Sequence, residues 1–337
     1  MYLLKKLFNP DIFQGGYKKK NYFEGWYFKI IDSNLENVFA VIPGVSYDIY
    51  NRDQHAFIQV MDAKSCKVNY LKYDLSAFVF NRDQFEIEVE DNYFSDKEIR
   101  LSIKDKKINI QGRLTFENRI PYPKTIGRPG VMGPFTFVPF MECYHGIVNI
   151  HHDIFGQLAI NDNLIDFSNG YGYIEKDWGR SFPEAWIWLQ SNHFGQDDVS
   201  LMFSFAKIPW LGRYFMGLIS FIRIKDKIYH FATYTRAKVQ KLKYMNNTLN
   251  IMLEDHRYRL EIIAQHSDTG ILKAPKNGLM QREILESITA VVNVRLSDKQ
   301  NKTIYEGEGT HAGLEIEKEI FSYYQSVSGH PPWLRRA

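Results

Sequence analysis

"LSIKDKKINIQGRLTF", Leu101–Phe116, alternates apolar with polar residues along most of its length. A period of two belongs to a strand with one face on a core and the other in water. "FEIEVEDNYFS", Phe85–Ser95, repeats the pattern. Working outward, the runs Tyr27–Val45, Ala56–Met61 and Phe78–Val89 are β-branched or aromatic, and Asp, Asn, Gly or Lys clusters break them at short intervals. "WIWLQSNHF", "VSLMFSFA", "FMGLISFIRI", "RYRLEIIAQ" and "SITAVVNVRL" carry the same rhythm onward. Helical periodicity is scarce, so the expected fold is all-β. Two antiparallel barrels or sandwiches packed together are predicted, residues 1–165 and 166–337, with closure into barrels removing exposed strand edges. "RIPYPKTIGRPGVMGPFTFVPF", Arg119–Phe140, concentrates Pro and Gly and reads as a long ordered loop, not a central strand.

Composition narrows the class. At 337 residues the chain exceeds the usual single core. Its 24 Phe and 21 Tyr suit strands and ligand-lined walls. The net charge of +3 is spread over 42 basic and 39 acidic residues, without the basic stripe of a nucleic-acid binder. Cys66 and Cys143 offer neither a disulfide framework nor a CxxC spacing, which suits a reducing compartment. The opening "MYLLKKLFNPDIF" lacks the apolar stretch of a signal peptide, and no run approaches the ~20 apolar residues of a membrane span. A cytoplasmic protein is expected, touching membranes peripherally through exposed aromatics. P-loop, GxGxxG and GxSxG contexts are absent, leaving nucleotide binding and serine hydrolysis without support.

The chemistry concentrates in "YGYIEKDWGRSFPEAWIWLQ", Tyr171–Gln190. Strand geometry puts Tyr171, Tyr173, Glu175 and Asp177 on one face and Lys176 on the other. Two readings fit: a salt-bridged turn, or a proton donor facing an apolar ligand. For the second, a Glu half-protonated at neutral pH needs ~3.7 kcal/mol of environmental bias. In "NYFEGWYFKIID", Asn21–Asp32, Glu24 shares a face with Tyr22, Trp26 and Phe28, either as a ligand contact or as a carboxylate satisfied by backbone amides or by an Arg from a neighbouring strand. "MECYHGIVNIHHD" holds Glu142, His145, His151, His152 and Asp153, but His151 and His152 face opposite ways on a strand and no metal-binding spacing appears. No metal is expected there. His145 fits a proton relay or a core histidine.

Taken together, "YFEGWYFK" (Tyr22–Lys29), "YIEKDWGRSFPEAWIWLQ" (Tyr173–Gln190), "LKAP" (Leu272–Pro275) and "GLEI" (Gly313–Ile316) resemble the tocopherol cyclase family. The resemblance implies a pair of lipocalin-like β-barrels, related to the fold of carotenoid hydratases, without metal or organic cofactor. It also implies a reaction: an acid protonates an alkene of a prenylated hydroquinone and the phenol oxygen captures the cation, giving a chromanol. On the family pattern the proton donor is Glu175, with Tyr173 orienting it. Asp177 stands where plant members carry an amide, and His145 lies one residue from a family histidine. Glu24 and Glu142 match the pattern, and Trp26, Trp178, Trp186 and Trp188 are expected to line the substrate cavity. Arg180 and Ser181 replace a glycine-rich family stretch at the entrance. A protonated carboxyl in a low-dielectric pocket is the donor this chemistry requires, and aromatic faces stabilise cations by ~0.5–2 kcal/mol each. A hydratase of an isoprenoid alkene, or a non-catalytic carrier of a hydrophobic isoprenoid or other lipid, would use the same barrels.

Overall fold

The computed structural model describes residues 2–195, 198–327 and 335–336. The fold is all-β, as expected. Among the described residues two antiparallel sheets dominate, and helix is confined to α1 (Tyr2–Phe8), α2 (Glu319–Val327) and three 3-10 turns.

The first sheet is built from β1 (Tyr22–Ile31), β2 (Val38–Tyr47), β3 (His55–Asp62), β4 (Lys67–Asp74), β5 (Phe78–Phe80), β6 (Glu86–Val89), β7 (Asn92–Ser95), β8 (Glu98–Lys104), β9 (Asn109–Pro121), β10 (Cys143–Ile160), β11 (Asn163–Asp166) and β12 (Gly170–Gly179). Its order is β4-β3-β2-β1-β12-β10-β9-β8-β7-β6-β5, with β11 hairpinned onto β10. The two outermost strands, β4 and β5, are consecutive in the chain and joined through the 3-10 turn Leu75–Ala77. A path that begins and ends at neighbouring segments curls the sheet back on itself, which hides the edges a flat sheet would expose.

The second sheet repeats this plan with β13 (Trp186–Ser191), β14 (Val199–Trp210), β15 (Arg213–Ile224), β16 (Lys227–Ala232), β17 (Lys238–Met245), β18 (Thr248–Glu254), β19 (Tyr258–Gln265), β20 (Gly270–Lys276), β21 (Leu279–Asp298) and β22 (Thr303–Ile316). The order β16-β15-β14-β13-β22-β21-β19-β18-β17 again places consecutive strands outermost, joined here by the turn Thr233–Thr235. In each sheet the strand that comes late in the chain returns to pair with the one that opens it, β12 with β1 and β22 with β13.

Each sheet encloses its own apolar cluster. Trp26, Phe28, Phe94, Leu114 and Ile174 belong to the first, and Ile187, Leu189, Phe203, Leu260 and Leu314 to the second. The chain divides into one unit of 1–138, 143–182 and 270–283, and another of 139–142, 183–269 and 284–337. The division therefore falls after Phe182 and not at 165/166. β12 explains the difference: it lies between β1 and β10 at the middle of the first sheet, and a boundary before it would split that sheet. The first unit also takes the hairpin Gly270–Glu283, which turns at Asn277 and Gly278, both with left-handed backbone. At Gly278 a Cβ would stand 2.1 Å from the Tyr47 carbonyl oxygen, so only glycine allows the hairpin tip to sit there. Ser46 Oγ donates to the Gly278 carbonyl, and Gln59 exchanges hydrogen bonds with the backbone of Lys273.

Candidate active site

β12 sets the site by alternation. Ile174 and Trp178 point into the apolar cluster of the first sheet, whereas Tyr173, Glu175 and Asp177 point to the opposite face. Antiparallel pairing brings the matching side chains of both neighbours to that face: His145 opposite Asp177 and Ile147 opposite Glu175 on β10, and Gly25, Tyr27 and Lys29 opposite Asp177, Glu175 and Tyr173 on β1. The two unusual strings of the sequence are thus adjacent strands. Lys29, at 1% exposure, is a buried cation on this face.

Four of the expected catalytic residues come together. Asp177 Oδ1 lies 2.9 Å from His145 Nδ1, His145 Nε2 lies 3.4 Å from Glu175 Oε2, and the Tyr173 hydroxyl donates to Glu175 Oε2 at 2.6 Å. Tyr173 is fully buried and Glu175 nearly so, with His145 and Asp177 partly open. Burial works against a charged imidazole at position 145, yet the charges and hydrogen bonds of Asp177 and Glu175 together overcome it and hold His145 well above the usual histidine range. His145 thus sits between the carboxyl groups of Asp177 and Glu175, which favour its charged form. Its Nδ1–H is well bonded, while buried Nε2 has no good hydrogen-bond partner among the described residues, because the Glu175 contact is long. Burial, then the Glu175 charge and hydrogen bond, push the Tyr173 phenol well above its ordinary value, so it stays a neutral donor. The Arg119–Phe140 stretch read as loop from sequence begins in strand, since β9 runs to Pro121 and pairs with β10; the loop starts at Tyr122. It contains the 3-10 turn Gly133–Phe137, and its Met132 Sδ accepts the His145 backbone N–H at 3.1 Å.

Among the described residues, His145, Glu175 and Asp177 are the groups placed to hold a cation. One donor atom each from His145, Glu175 and Asp177 lies within 4.8 Å of the others, one nitrogen and two oxygens. This set differs from the His151–His152 cluster considered from sequence. His152 is fully buried against the Phe116 ring, and neither of its nitrogens has a hydrogen-bond partner among the described residues. Burial, then the charges of His151 and Arg119, drive it well below the usual histidine range, so it is a neutral core residue.

Glu24, Trp26 and Trp178 do not join Glu175, which corrects the expectation that these tryptophans line its cavity. They lie on the barrel-interior face with Lys176, because residues one apart on a strand point to opposite sides. Glu24 and Lys176 form an ion pair with both side chains fully buried. Glu24 also accepts the backbone N–H groups of Gln14 and Gly15 and the Tyr22 hydroxyl. Lys176 Nζ donates to the Ile12 carbonyl at 2.6 Å and lies 4.7 and 4.9 Å from the rings of Trp26 and Trp178. This cluster ties the segment 11–15 to the barrel wall, with Phe13 inserted among Trp26, Phe78 and Phe80. Of the two sequence readings of Glu24, the satisfied carboxylate is the one found. Glu142, Trp186 and Trp188 fall in the second unit, where the two tryptophans lie on the face of β13 opposite the core residues Ile187 and Leu189, and Trp186 Nε1 donates to Glu315 at 2.5 Å. A cavity of ≈ 450 Å³ in the first unit is lined by Asp96, Phe116, Glu117, Asn118, Arg119, Pro121 and Asn149, and none of the four clustered residues lines it.

These features belong to a two-barrel, lipocalin-like class of protein, and the sequence places the chain within it. Residues 101–318 match the tocopherol cyclase-like family, and the chain belongs to that family. The match includes β12 and its acidic cluster but not the string Tyr22–Lys29. No curated protein matches the sequence significantly. Among solved structures, CghA in complex with Sch210972 is similar with 13% identity and a TM-score of 0.55 over 88% of each chain. Kievitone hydratase from Nectria haematococca shares 8% identity with a TM-score of 0.48, over 91% of this chain and 93% of its own. The likeness to CghA is one of fold. No helix among the described residues is long and apolar enough to cross a membrane.

Proposed function

We propose that the chain is an acid-catalysed cyclase that converts a prenylated hydroquinone or a related isoprenoid to a chromanol. The observation that carries this reading is the linear array Asp177, His145, Glu175, Tyr173, which keeps a proton on a buried group with an unmet hydrogen bond. His145 Nε2 passes that proton to Glu175 Oε2 across the 3.4 Å contact, and Glu175 delivers it to one carbon of the substrate alkene. The tertiary cation that results is captured by the phenol oxygen, and the phenolic proton returns to the array, so the net change is an isomerisation with no co-reactant. Carboxylates beside the cation stabilise it as it forms. Asp177 positions His145 and favours its charged form, and Tyr173 orients Glu175. The ligand is a hydrophobic small molecule, consistent with family membership and with a neutral phenol and aliphatic Ile147 beside the acid. No cofactor takes part in this scheme.

The test is Glu175→Gln assayed with a prenylated hydroquinone, following chromanol by chromatography and binding by ligand-induced change in tryptophan fluorescence. Turnover should be lost with binding kept. Wild-type turnover in the variant would sink the acid assignment, and a wild-type protein that binds without turnover would make the chain a carrier.

A further inference from the structure

Beyond the acid cluster, the first unit carries an unusual surface around α1. Lys18, Lys19 and Lys20 are consecutive and all exposed, and Lys5 and Lys6 occupy the last turn of α1. The Lys6 ammonium and the Arg82 guanidinium each lie 5.8 Å from the centre of the Tyr2 ring, Tyr2 and Tyr17 meet edge to face at 5.7 Å, and Lys18 lies 5.8 Å from the Tyr22 ring. Lys5 and Lys6 on α1, Lys18–Lys20 on the following segment and Arg82 beside Tyr2 therefore gather six basic groups, against the carboxylate of Asp83, paired with Lys5; nearby Asp11 is paired with Lys124. This region is therefore strongly positive on a chain whose net charge is only +3. Apolar tips rim it. Leu7 is 37% exposed, Phe8 45% and Tyr17 58%, and Phe8 meets Phe137, itself 37% exposed, edge to face at 5.7 Å.

We propose that this face docks on the surface of a bilayer containing anionic lipid. Lysines attract the negative surface, and aromatic and aliphatic tips beside them enter the headgroup boundary, the combination that holds amphipathic segments at membranes. Charge complementarity selects the anionic leaflet. The aliphatic tips favour lipid over nucleic acid, where they would gain nothing from phosphates. The proposal rests on charge and exposure and holds whatever the chain's catalytic product is.

The experiment is co-sedimentation of the full chain with phosphatidylcholine vesicles, with and without phosphatidylglycerol. Wild type should bind only the mixed vesicles and release at high salt. The exposed triple variant Lys18→Glu, Lys19→Glu, Lys20→Glu should bind at least about tenfold more weakly, and Phe8→Ser several-fold more weakly, with unchanged melting temperatures. Chromanol formation from detergent-dispersed substrate should be unaffected in both, so a failure of docking and a failure of the cyclase reading give different results. Absent binding to mixed vesicles, equal binding by the triple variant, or tighter binding of a DNA oligonucleotide through the same lysines would overturn the proposal.

Discussion

Glu175 and Lys176 are neighbours in sequence, yet they face opposite sides of β12 and enter two different ionic clusters. On the interior side, Glu24 receives two backbone amides, a phenol and the Lys176 ammonium, and Lys176 gives hydrogen bonds to backbone carbonyl oxygens and lies against two indoles. On the other side, the imidazolium of His145 sits between two carboxylates with one N–H poorly met. The interior pair is fully buried and fully satisfied, whereas the His145 cluster is partly open and is not. A buried charge whose bonds are complete can hold structure in place, whereas one with a bond to spare has something to offer a ligand.

Substitution separates the two sides. The largest expected effect is that of Glu175→Gln, which should lower chromanol formation by ~10²–10⁴-fold, the range of a general acid, with little change in melting temperature. Glu24→Gln should do the reverse: it leaves Lys176 buried without its counter-charge and should cost about 3–5 kcal/mol in urea unfolding. A Glu24→Gln protein as stable as wild type would remove the structural half of the comparison. Asp177→Asn should be milder, with turnover falling about tenfold and the pH at which activity is lost on the alkaline side moving down. The sign follows from His145. Its folded value is raised, so the stability and charge it contributes are complete below the unfolded value near ~6.5 and are lost as pH rises through the higher folded value. The smallest change is expected for Tyr173→Phe, about 1 kcal/mol in activation free energy from one hydrogen bond to Glu175. A pH–rate profile of Asp177→Asn that overlays wild type would separate Asp177 from the chemistry.

Much of the site was readable before any coordinates because a strand has a strict period. Alternation alone separates Glu175 and Asp177 from Lys176, and Glu24 and Trp26 from Tyr27 and Lys29. What alternation cannot supply is which strands meet. Nothing local in Tyr22–Lys29 says that it pairs with Tyr173–Gly179, and without that pairing Trp26 and Trp178 look like cavity walls beside Glu175 when they are neighbours of Lys176. The same gap displaced the domain boundary, since β12 follows β11 in the chain but closes the first sheet against β1. His145 was ambiguous for a related reason. β10 shifts register at Ile147/Asn149 and again at Asn149/His152, so counting by twos from one histidine to the next fails across those bulges. Glu24's partners lie in the non-strand segment at Gln14 and Gly15, where no periodicity exists to place them.

The most direct test of the proton-holding array needs no substrate. Nuclear magnetic resonance of ring-labelled histidine, titrated in wild type and in Asp177→Asn, reports the charge of His145. The account predicts an imidazolium that persists well above pH ~6.5 in wild type and loses its proton at lower pH in the variant. A His145 that titrates at or below the ordinary histidine value in wild type would contradict it.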